Sequence, residues 1–317
     1  MNNFKTAVVT GAAGFIGSHI VDALLELGCT VVGIDNLSNG RLENLASAAT
    51  SDAFRFEHGD IRDASFLANQ FAGASVVFHE AAFVSVPKSV EDPLECTEIN
   101  VIGTLNVLEA ARQAGAEKII LASSAAVYGN EPTLPKVETM VPAAVSPYGA
   151  SKIAAEQYFT AYYEAYGLDT TVLRYFNVYG PRQDNSPYSG VLSIFVSSAL
   201  DGKPLRIFGD GTQTRDFVFV QDVVQANLLA ATCPAAAGGT FNIATGVSMP
   251  LLDVARAVLS LAGRKADDME FLDPRPGDIM HSAASIGLAR SVLRYEPEYS
   301  MEDGLAAYIA HERALHG

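Results

Sequence analysis

Three side chains in the middle of the chain have the types and spacing for proton transfer: Ser124, Tyr148 and Lys152. The run Ser123-Ser124-Ala125-Ala126-Val127-Tyr128-Gly129 is followed, after a loop, by Ser146-Pro147-Tyr148-Gly149-Ala150-Ser151-Lys152. Pro147, with its fixed φ, suits the opening of a helix. Tyr148 and Lys152 then project from one face of its first turn. An ammonium beside a phenol favours the phenolate and lowers the tyrosine pKa from its usual value of about 10. The expectation is a tyrosine that acts as a base near neutral pH, with Ser124 hydrogen-bonding a substrate oxygen. A Tyr four residues before a Lys is also common on a solvated helix face, so the surrounding chain has to decide. A serine hydrolase is excluded, because no G-x-S-x-G surrounds Ser124 and no His is suitably placed.

The elements that must position these residues alternate between strand and helix. Thr6 to Thr10 reads as a buried strand, followed at once by Gly11-Ala12-Ala13-Gly14-Phe15-Ile16-Gly17 and an amphipathic helix from Ser18 to Leu27. Gly11 permits a tight turn, Gly14 lets backbone N–H groups approach a pyrophosphate, and Gly17 allows close helix–strand packing. The spacing is GxxGxxG, a variant of the dinucleotide fingerprint; turn glycines that serve structure alone are the competing reading. A second strand from Thr30 to Ile34 ends in Asp35, the acid expected on an adenosine ribose, which favours NAD over NADP; Arg41 nearby works against that preference. Phe54 to Ile61 reads as a third strand carrying Asp60 toward the adenine amino group. Val76 to His79 is a fourth, leading to Ala81 and Ala82, small enough for the chain to lie against a cofactor. His58 and His79 read as strand or core histidines, and neither has a partner at metal-ligand spacing. A long helix runs from Pro93 to Gly115 with Asn100 inside it, a fifth strand from Lys118 to Ser123, and a sixth from Leu168 to Leu173. This is the pattern of an α/β fold, a doubly wound parallel sheet with its ligand across the strand C-termini.

Beyond the segment Arg174-Tyr175-Phe176-Asn177-Val178-Tyr179-Gly180-Pro181-Arg182 the alternation dissolves. Gly, Pro, Asn and Ser accumulate from Gln183 to Gly190, marking the entry to a smaller α/β unit. Val191 to Leu200 reads as a helix, Pro204 to Val220 as two short strands joined by a polar turn, and Leu251 to Ala262 as a helix. Arg206, Arg215 and Arg275 stand out among only 21 basic residues. Each alone reads as a solvated arginine; together they fit clamps on the diphosphate or ribose of a second nucleotide.

Bulk properties bound the possibilities. The chain has 317 residues, 49% of them hydrophobic, and a formal charge of −15. That size supports one large or two fused domains, and that charge argues against nucleic acid and anionic membranes as partners. Cys29, Cys96 and Cys233 match no disulfide or zinc pattern and fit a reducing compartment. No signal peptide or bilayer-length apolar run is evident, so a soluble cytoplasmic protein is expected.

Taken in order, Gly11/Gly14/Gly17, Asp35, Asp60, Ser124, Tyr148 and Lys152 make the chain resemble the extended short-chain dehydrogenase/reductases over essentially its whole length. Within them it resembles the UDP-glucose and UDP-N-acetylglucosamine 4-epimerases, on the motifs Ser123 to Gly129, Arg174 to Pro181, Thr214-Arg215-Asp216-Phe217 and Arg275-Pro276-Gly277-Asp278. The resemblance implies an NAD-binding Rossmann domain over 1–176, holding a tightly bound NAD regenerated in each cycle. It implies a nucleotide-sugar-binding domain over 177–317, partly interleaved with the first. The cofactor wall would comprise Gly11, Gly14, Phe15, Ile16, Gly17, Asp35, Asn36, Asp60, Ile61, Ala81, Ala82, Asn100, Ser123, Tyr148, Lys152 and Tyr175. For the UDP-sugar, the resemblance implies that Asn177, Arg215 and Arg275 hold the pyrophosphate. It assigns the uridine to Gly190 to Phe208, with Val191 and Arg206, and places Ser85, Asp278 and Ser282 at the sugar.

Tyr148, Lys152 and Ser124 would then interconvert C4 epimers of UDP-glucose/UDP-galactose, and of UDP-GlcNAc/UDP-GalNAc, through a 4-keto sugar. Ser282 falls by register where a bulky tyrosine restricts relatives to glucose and galactose, so a small side chain there implies an open gate for N-acetyl. The Val84 to Pro87 segment and Gly190 point the same way. Nucleotide-sugar 4,6-dehydratases carry an Asp-Glu pair where this chain has Ala125-Ala126, which argues against dehydration. A UDP-uronic acid 4-epimerase and a non-catalytic NAD-binding scaffold compete for the same motifs. Apolar Val107, Leu108, Ile153, Phe159 and Tyr162 on the helices after Pro93 and Pro147 imply a homodimer, since relatives pair these helices between subunits.

Overall fold

The structure, a computed structural model, describes residues 5–184, 190–274 and 280–316. Its centre is a seven-stranded, wholly parallel sheet in the order β10-β6-β5-β4-β1-β2-β3. The strands are β1 (Thr6–Thr10), β2 (Thr30–Asp35), β3 (Phe54–His58), β4 (Val76–His79), β5 (Lys118–Ser124), β6 (Asp169–Tyr175) and β10 (Thr240–Ile243). Their side chains alternate between two faces, as the period of a strand requires. Ala7, Val9, Val31, Val76, Phe78 and Ile120 enter one core, while Val8, Val32, Val77, Ile119 and Leu121 enter the other. Helices α1 (Phe15–Glu26) and α8 (Val220–Thr232) cover the first face, and α2 (Ala64–Gln70), α5 (Thr104–Ala114) and α6 (Pro147–Tyr166) the second.

The order in which strands are added reverses between β1 and β4, so a crevice opens there above the strand C-termini. Both edges of that crevice are built from residues immediately after β1 and β4. A smaller three-stranded sheet of β7 (Asn177–Tyr179), β9 (Thr214–Phe219) and β11 (Ser248–Pro250), and a parallel pair of β8 (Leu205–Phe208) and β12 (Met269–Leu272), make a second layer. They enclose a separate apolar core with α7 (Val191–Leu200), α9 (Leu251–Ala262) and α11 (Met301–His316). The remaining helices are α3 (Val86–Glu91), α4 (Pro93–Thr97) and α10 (Gly287–Leu293).

Several elements differ from the sequence reading. The third strand stops at His58, and Asp60 lies in the loop after it. The helix from Pro93 is interrupted by one π turn at Glu98–Gly103, where Thr104 Oγ1 bonds back to the Asn100 carbonyl at 2.7 Å. The short helix α3 was not foreseen; Ser85 caps it by accepting from the Lys88 N–H, with Pro87 in the first turn. Finally, β8 and β9 are not a hairpin. The turn between them carries Gly209 and Gly211 at positive φ, and each strand joins a different sheet. Buried Asp216 explains the departure, since its carboxylate accepts from the N–H groups of Thr245, Gly246 and Ala284 at 2.9, 3.0 and 3.3 Å. That clamp draws β9 to the chain following β10.

The apolar residues read as a dimerisation face are used otherwise. Val107, Leu108, Phe159 and Tyr162 lie in the protein's own core and Ile153 packs against it. The exposed apolar side chains on these helices are instead Leu94, Ile102, Tyr158 and Tyr166. Among the described residues, no helix is long and apolar enough to cross a membrane.

Candidate active site

At the C-terminal end of β1 the backbone makes a cradle whose shape depends on two glycines. Gly11 has φ +70°, and a Cβ there would lie 2.6 Å from the Ala81 nitrogen across the crevice. A Cβ on Gly17 would lie 2.2 Å from the Gly11 carbonyl, so only glycine lets α1 start this close to the turn. No side chain caps α1 at Gly14, and no acid occupies its first turn. Its first N–H groups therefore face the crevice as an anion-binding end. Phe15 and Ile16 belong to this turn and lean on the apolar core of the second layer.

At the end of β2, Asp35 is buried and receives N–H bonds from Ala13 at 3.0 Å and Leu37 at 2.7 Å. Burial raises its carboxyl pKa, and those N–H groups draw it back. Gly40 closes over it, since a Cβ there would sit 2.7 Å from Oδ1. Asp60 is held by Arg62, through Nε at 3.0 Å and Nη2 at 2.8 Å, and by Asn36 Nδ2 at 2.8 Å. The Arg62 bonds hold its carboxyl well below the usual range. Asn36 is thus a support for Asp60, and buried Ile61 packs beneath the same loop. An uncapped helix end for a diphosphate beside a carboxylate for a ribose is the donor set that a dinucleotide needs.

Across the crevice, His79 is a core histidine, as read from the sequence. Thr104 already donates to the Asn100 carbonyl, so its oxygen accepts from His79 Nε2–H at 2.9 Å, while Nδ1 accepts from Thr10 Oγ1 at 2.8 Å. Burial pulls its pKa down to about 3 and keeps it neutral. The Thr-His-Thr chain staples β1, β4 and α5 together under Ala81 and Ala82. Asn100 is committed as well: its amide pairs with Phe83 N and O at 2.7 and 3.0 Å and with Ser151 Oγ at 2.9 Å. Its side chain positions the Phe83 segment.

The proposed proton-transfer residues do come together. Pro147 opens α6, Ser146 caps it on the Gly149 N–H, and across the gap between α6 and β5 the Ser124 hydroxyl faces the buried Tyr148 phenol. Lys152 Nζ lies 5.9 Å from the Tyr148 ring centre and donates to the Ala122 carbonyl at 2.8 Å. One expectation fails. The Tyr148 pKa is raised, because burial outweighs the Ser124 hydrogen bond that lowers it. The same burial lowers Lys152 to about 8, against the opposing pull of Glu80.

Ser123, next to Ser124, turns its hydroxyl away from the crevice to Glu156 Oε1 at 2.5 Å. Glu156 in turn forms a forked pair with buried Arg174 at 2.7 and 2.9 Å, and Arg174 continues to the Tyr128 hydroxyl at 2.9 Å. Tyr175 donates to Glu80 Oε1 at 2.9 Å. Sequence reasoning missed Glu80, Ser89, whose Oγ accepts from the Tyr148 N–H at 3.1 Å, and the buried pair under Ser123. Only the position of Glu80, directly before Ala81 at a strand end, signalled any of them.

The second layer carries the further candidates. Asn177 donates to the Asp216 carbonyl at 3.0 Å, which ties β7 to β9. Half-buried Arg215 bonds the Thr214 carbonyl at 2.9 Å, and Ser282 N–H bonds the same oxygen at 3.1 Å, so Arg215 and Ser282 are neighbours. Gly190 and Val191 start α7. Arg206 is exposed on β8 beside Glu270 at 3.4 Å. Close to β8 and β12, a cavity of about 450 Å³ is lined by Phe208, Gln213, Leu272, Pro274 and Met280. Arg275 and Asp278 lie outside the described residues. Among those residues, no group of three or more His, Cys, Asp or Glu is arranged to hold a metal ion.

Residues 7–244 match the family model described as the NAD dependent epimerase/dehydratase family. The chain is 45% identical over 305 residues to a UDP-glucose 4-epimerase of Mycolicibacterium smegmatis, covering 95% of this chain and 96% of that one. A solved UDP-N-acetylglucosamine 4-epimerase of Methanobrevibacter ruminantium, in complex with UDP-N-acetylmuramic acid, superposes with a TM-score of 0.94 at 39% identity, covering 98% and 99% of the two chains. The UDP-glucose 4-epimerase of Thermus thermophilus in complex with NAD gives a TM-score of 0.87 at 39% identity, covering 97% and 99%.

Proposed function

Because the chain belongs to the NAD dependent epimerase/dehydratase family, we propose that it is a UDP-sugar 4-epimerase acting on UDP-hexoses and on their N-acetylated counterparts. The observation that carries the reading is the meeting of Ser124, Tyr148 and Lys152 beside the Gly11 cradle, at the point where the sheet order reverses. The cradle fits NAD: the α1 end would hold its diphosphate and Asp35 a ribose. Bound NAD supplies the acceptor, and then the donor, for the hydride at C4 of the sugar.

The protein's own residues do the rest. Tyr148 takes the proton of the sugar 4-hydroxyl, and Ser124 holds the same oxygen through the change from alcohol to ketone. The 4-keto sugar turns about its link to the diphosphate so that C4 presents its opposite face to the returning hydride, and Tyr148 gives the proton back to the 4-oxygen. Burial opposes the phenolate, so the charge on Lys152 has to lower its cost, and between two groups so buried that charge acts with little screening. Asn177 and Arg215 would hold the sugar diphosphate, with Arg275 assigned by motif. The Phe208 cavity has room for a base, with Arg206 at its strand. Ala125 and Ala126 offer only methyl groups where elimination of water would need an acid and a base.

The small Ser282 beside Arg215 supports acceptance of a 2-N-acetyl group. Purified protein without added NAD is expected to convert both UDP-galactose and UDP-N-acetylgalactosamine, read as product epimers by chromatography. Ser282→Tyr should keep the first activity and lose the second. Conversion of UDP-galactose alone by the unaltered protein would remove the open gate and keep the mechanism. No conversion of either, with NAD supplied, would shift the reading to a UDP-uronic acid or to a scaffold. Leu94, Ile102 and Tyr158 form the face on which a second copy would pack. Sedimentation showing only a monomer at micromolar concentration removes the homodimer.

A further inference from the structure

We propose that Glu80 is a positioning residue for the proton-transfer pair, its carboxylate keeping the buried Lys152 ammonium charged while a hydrogen-bonded chain through Tyr175 and Asn227 holds it in place. The proposal rests on the epimerase reading for its kinetic consequence but not for the electrostatic coupling itself.

The geometry singles out Glu80. It follows β4 directly, so the sheet delivers it to the crevice beside Ala81, next to the Gly11 cradle. Tyr175 at the end of β6 donates to Oε1 at 2.9 Å, and buried Asn227 on α8 donates to the Tyr175 oxygen at 2.8 Å and to the Val223 carbonyl at 2.9 Å. Three elements thus fix one carboxylate. Pairing of His79 with Leu121 sets Glu80 level with Ala122, whose carbonyl accepts from the Lys152 ammonium at 2.8 Å; of the charges that favour that ammonium, Glu80 comes first, ahead of Cys96 and Glu156.

The other groups around Lys152 cannot take this role. Glu156 is committed to Arg174 and Ser123. Burial pushes the Cys96 thiol up, so it is neutral at working pH. His79 is neutral and sealed between two threonines, and burial keeps the Tyr175 phenol protonated. Glu80 itself is pushed up to about 7 by burial, with Tyr175 and Lys152 pulling the other way. The anion and the ammonium therefore support each other. Burial lowers Lys152 to about 8, and Glu80 is first among the groups that hold it up.

The test uses the NAD-loaded enzyme and Glu80→Gln, an uncharged side chain that can still accept from Tyr175. The alkaline limb of kcat for UDP-galactose is expected to move down by about one pH unit. The variant should then match the unaltered enzyme near pH 6 and be roughly eightfold slower near pH 8.5, from the fractions of charged lysine at the two pKa values. A loss that is uniform with pH, or a limb that stays in place, overturns the proposal. A reciprocal measurement needs neither turnover nor Glu80→Gln. In protein labelled with 13C only at glutamate, infrared titration should show one carboxyl losing its proton near neutral pH, and Lys152→Met should raise that midpoint by a comparable shift. Labelling glutamate alone excludes buried Asp35, Asp216 and Asp222. A midpoint that Lys152→Met leaves unmoved overturns the coupling, even if the protein turns over no UDP-sugar.

Discussion

Replacing Glu156 by leucine tests whether the buried pair beneath Ser124 is what holds the catalytic strand end. Glu156 accepts from Arg174 at two atoms and from Ser123, and both charged side chains are only 5% exposed. Glu156→Leu leaves the guanidinium with the Tyr128 hydroxyl and the Glu138 carbonyl, at 2.9 and 3.4 Å, and with no counter-charge. Stranding a buried charge costs about 3–5 kcal/mol, and the orphaned Ser123 hydroxyl adds about 1 kcal/mol. The sum, about 4–6 kcal/mol, is a large part of the stability of an ordinary domain.

The double variant Glu156→Leu/Arg174→Met removes both charges and should recover about 2–4 kcal/mol of that loss, because buried pairs are often replaceable by apolar side chains. Urea unfolding followed by far-ultraviolet dichroism and by tyrosine fluorescence, convenient in a chain without tryptophan, checks this and tests two-state behaviour. Ser124 follows Ser123 directly, so a shift of the strand end by about 1 Å should also cost about 100-fold in kcat in any single variant that folds. A single variant less than about 1 kcal/mol destabilised, or a double variant no more stable than the single, would refute the reasoning.

Other outcomes follow from the same geometry. Tyr148→Phe should lower turnover by about 100- to 10,000-fold while changing stability by no more than about 1 kcal/mol; a loss under tenfold removes Tyr148 as the base. Gly17→Ala puts a methyl group 2.2 Å from the Gly11 carbonyl and should cost about 1–3 kcal/mol and release NAD on gel filtration, whereas unchanged melting and retained NAD would contradict the packing argument. His79 is neutral when folded, with a pKa of about 3 against 6.5 when unfolded, so the unfolded chain binds the extra proton between those values. Stability should therefore be undiminished by this group above pH 6.5 and fall as pH drops toward 3, by on the order of a few kcal/mol. Substituting His79 by asparagine should flatten that part of the urea-midpoint profile, and an unchanged slope would place the titration elsewhere.

Much of the fold and part of the site were legible because they rest on local chemistry. A strand, a glycine turn and a helix read directly as the cradle, since the packing limit at Gly17 arises within one short stretch, while that at Gly11 is set by Ala81 across the crevice. Asp35 was legible as a strand end, and Tyr148 with Lys152 as a helical pair four residues apart. The second layer was less legible because β8 and β9 are separated by partners that arrive much later in the chain, β12 and β11.

What the sequence by itself determined is the sheet's alternation, the glycine cradle and the spacing of the candidate proton-transfer groups, all set by periodicities and spacings of a few residues. Tertiary structure alone decided their electrostatics. Glu80 meets Tyr175 across 95 residues, and Tyr175 meets Asn227 across 52. Glu156 and Arg174 close beneath Ser123 from a helix and a strand. The sign of the Tyr148 shift follows from the same cause. A neighbouring ammonium can be read from a four-residue spacing, but desolvation exists only once distant segments have closed over the phenol and removed its water.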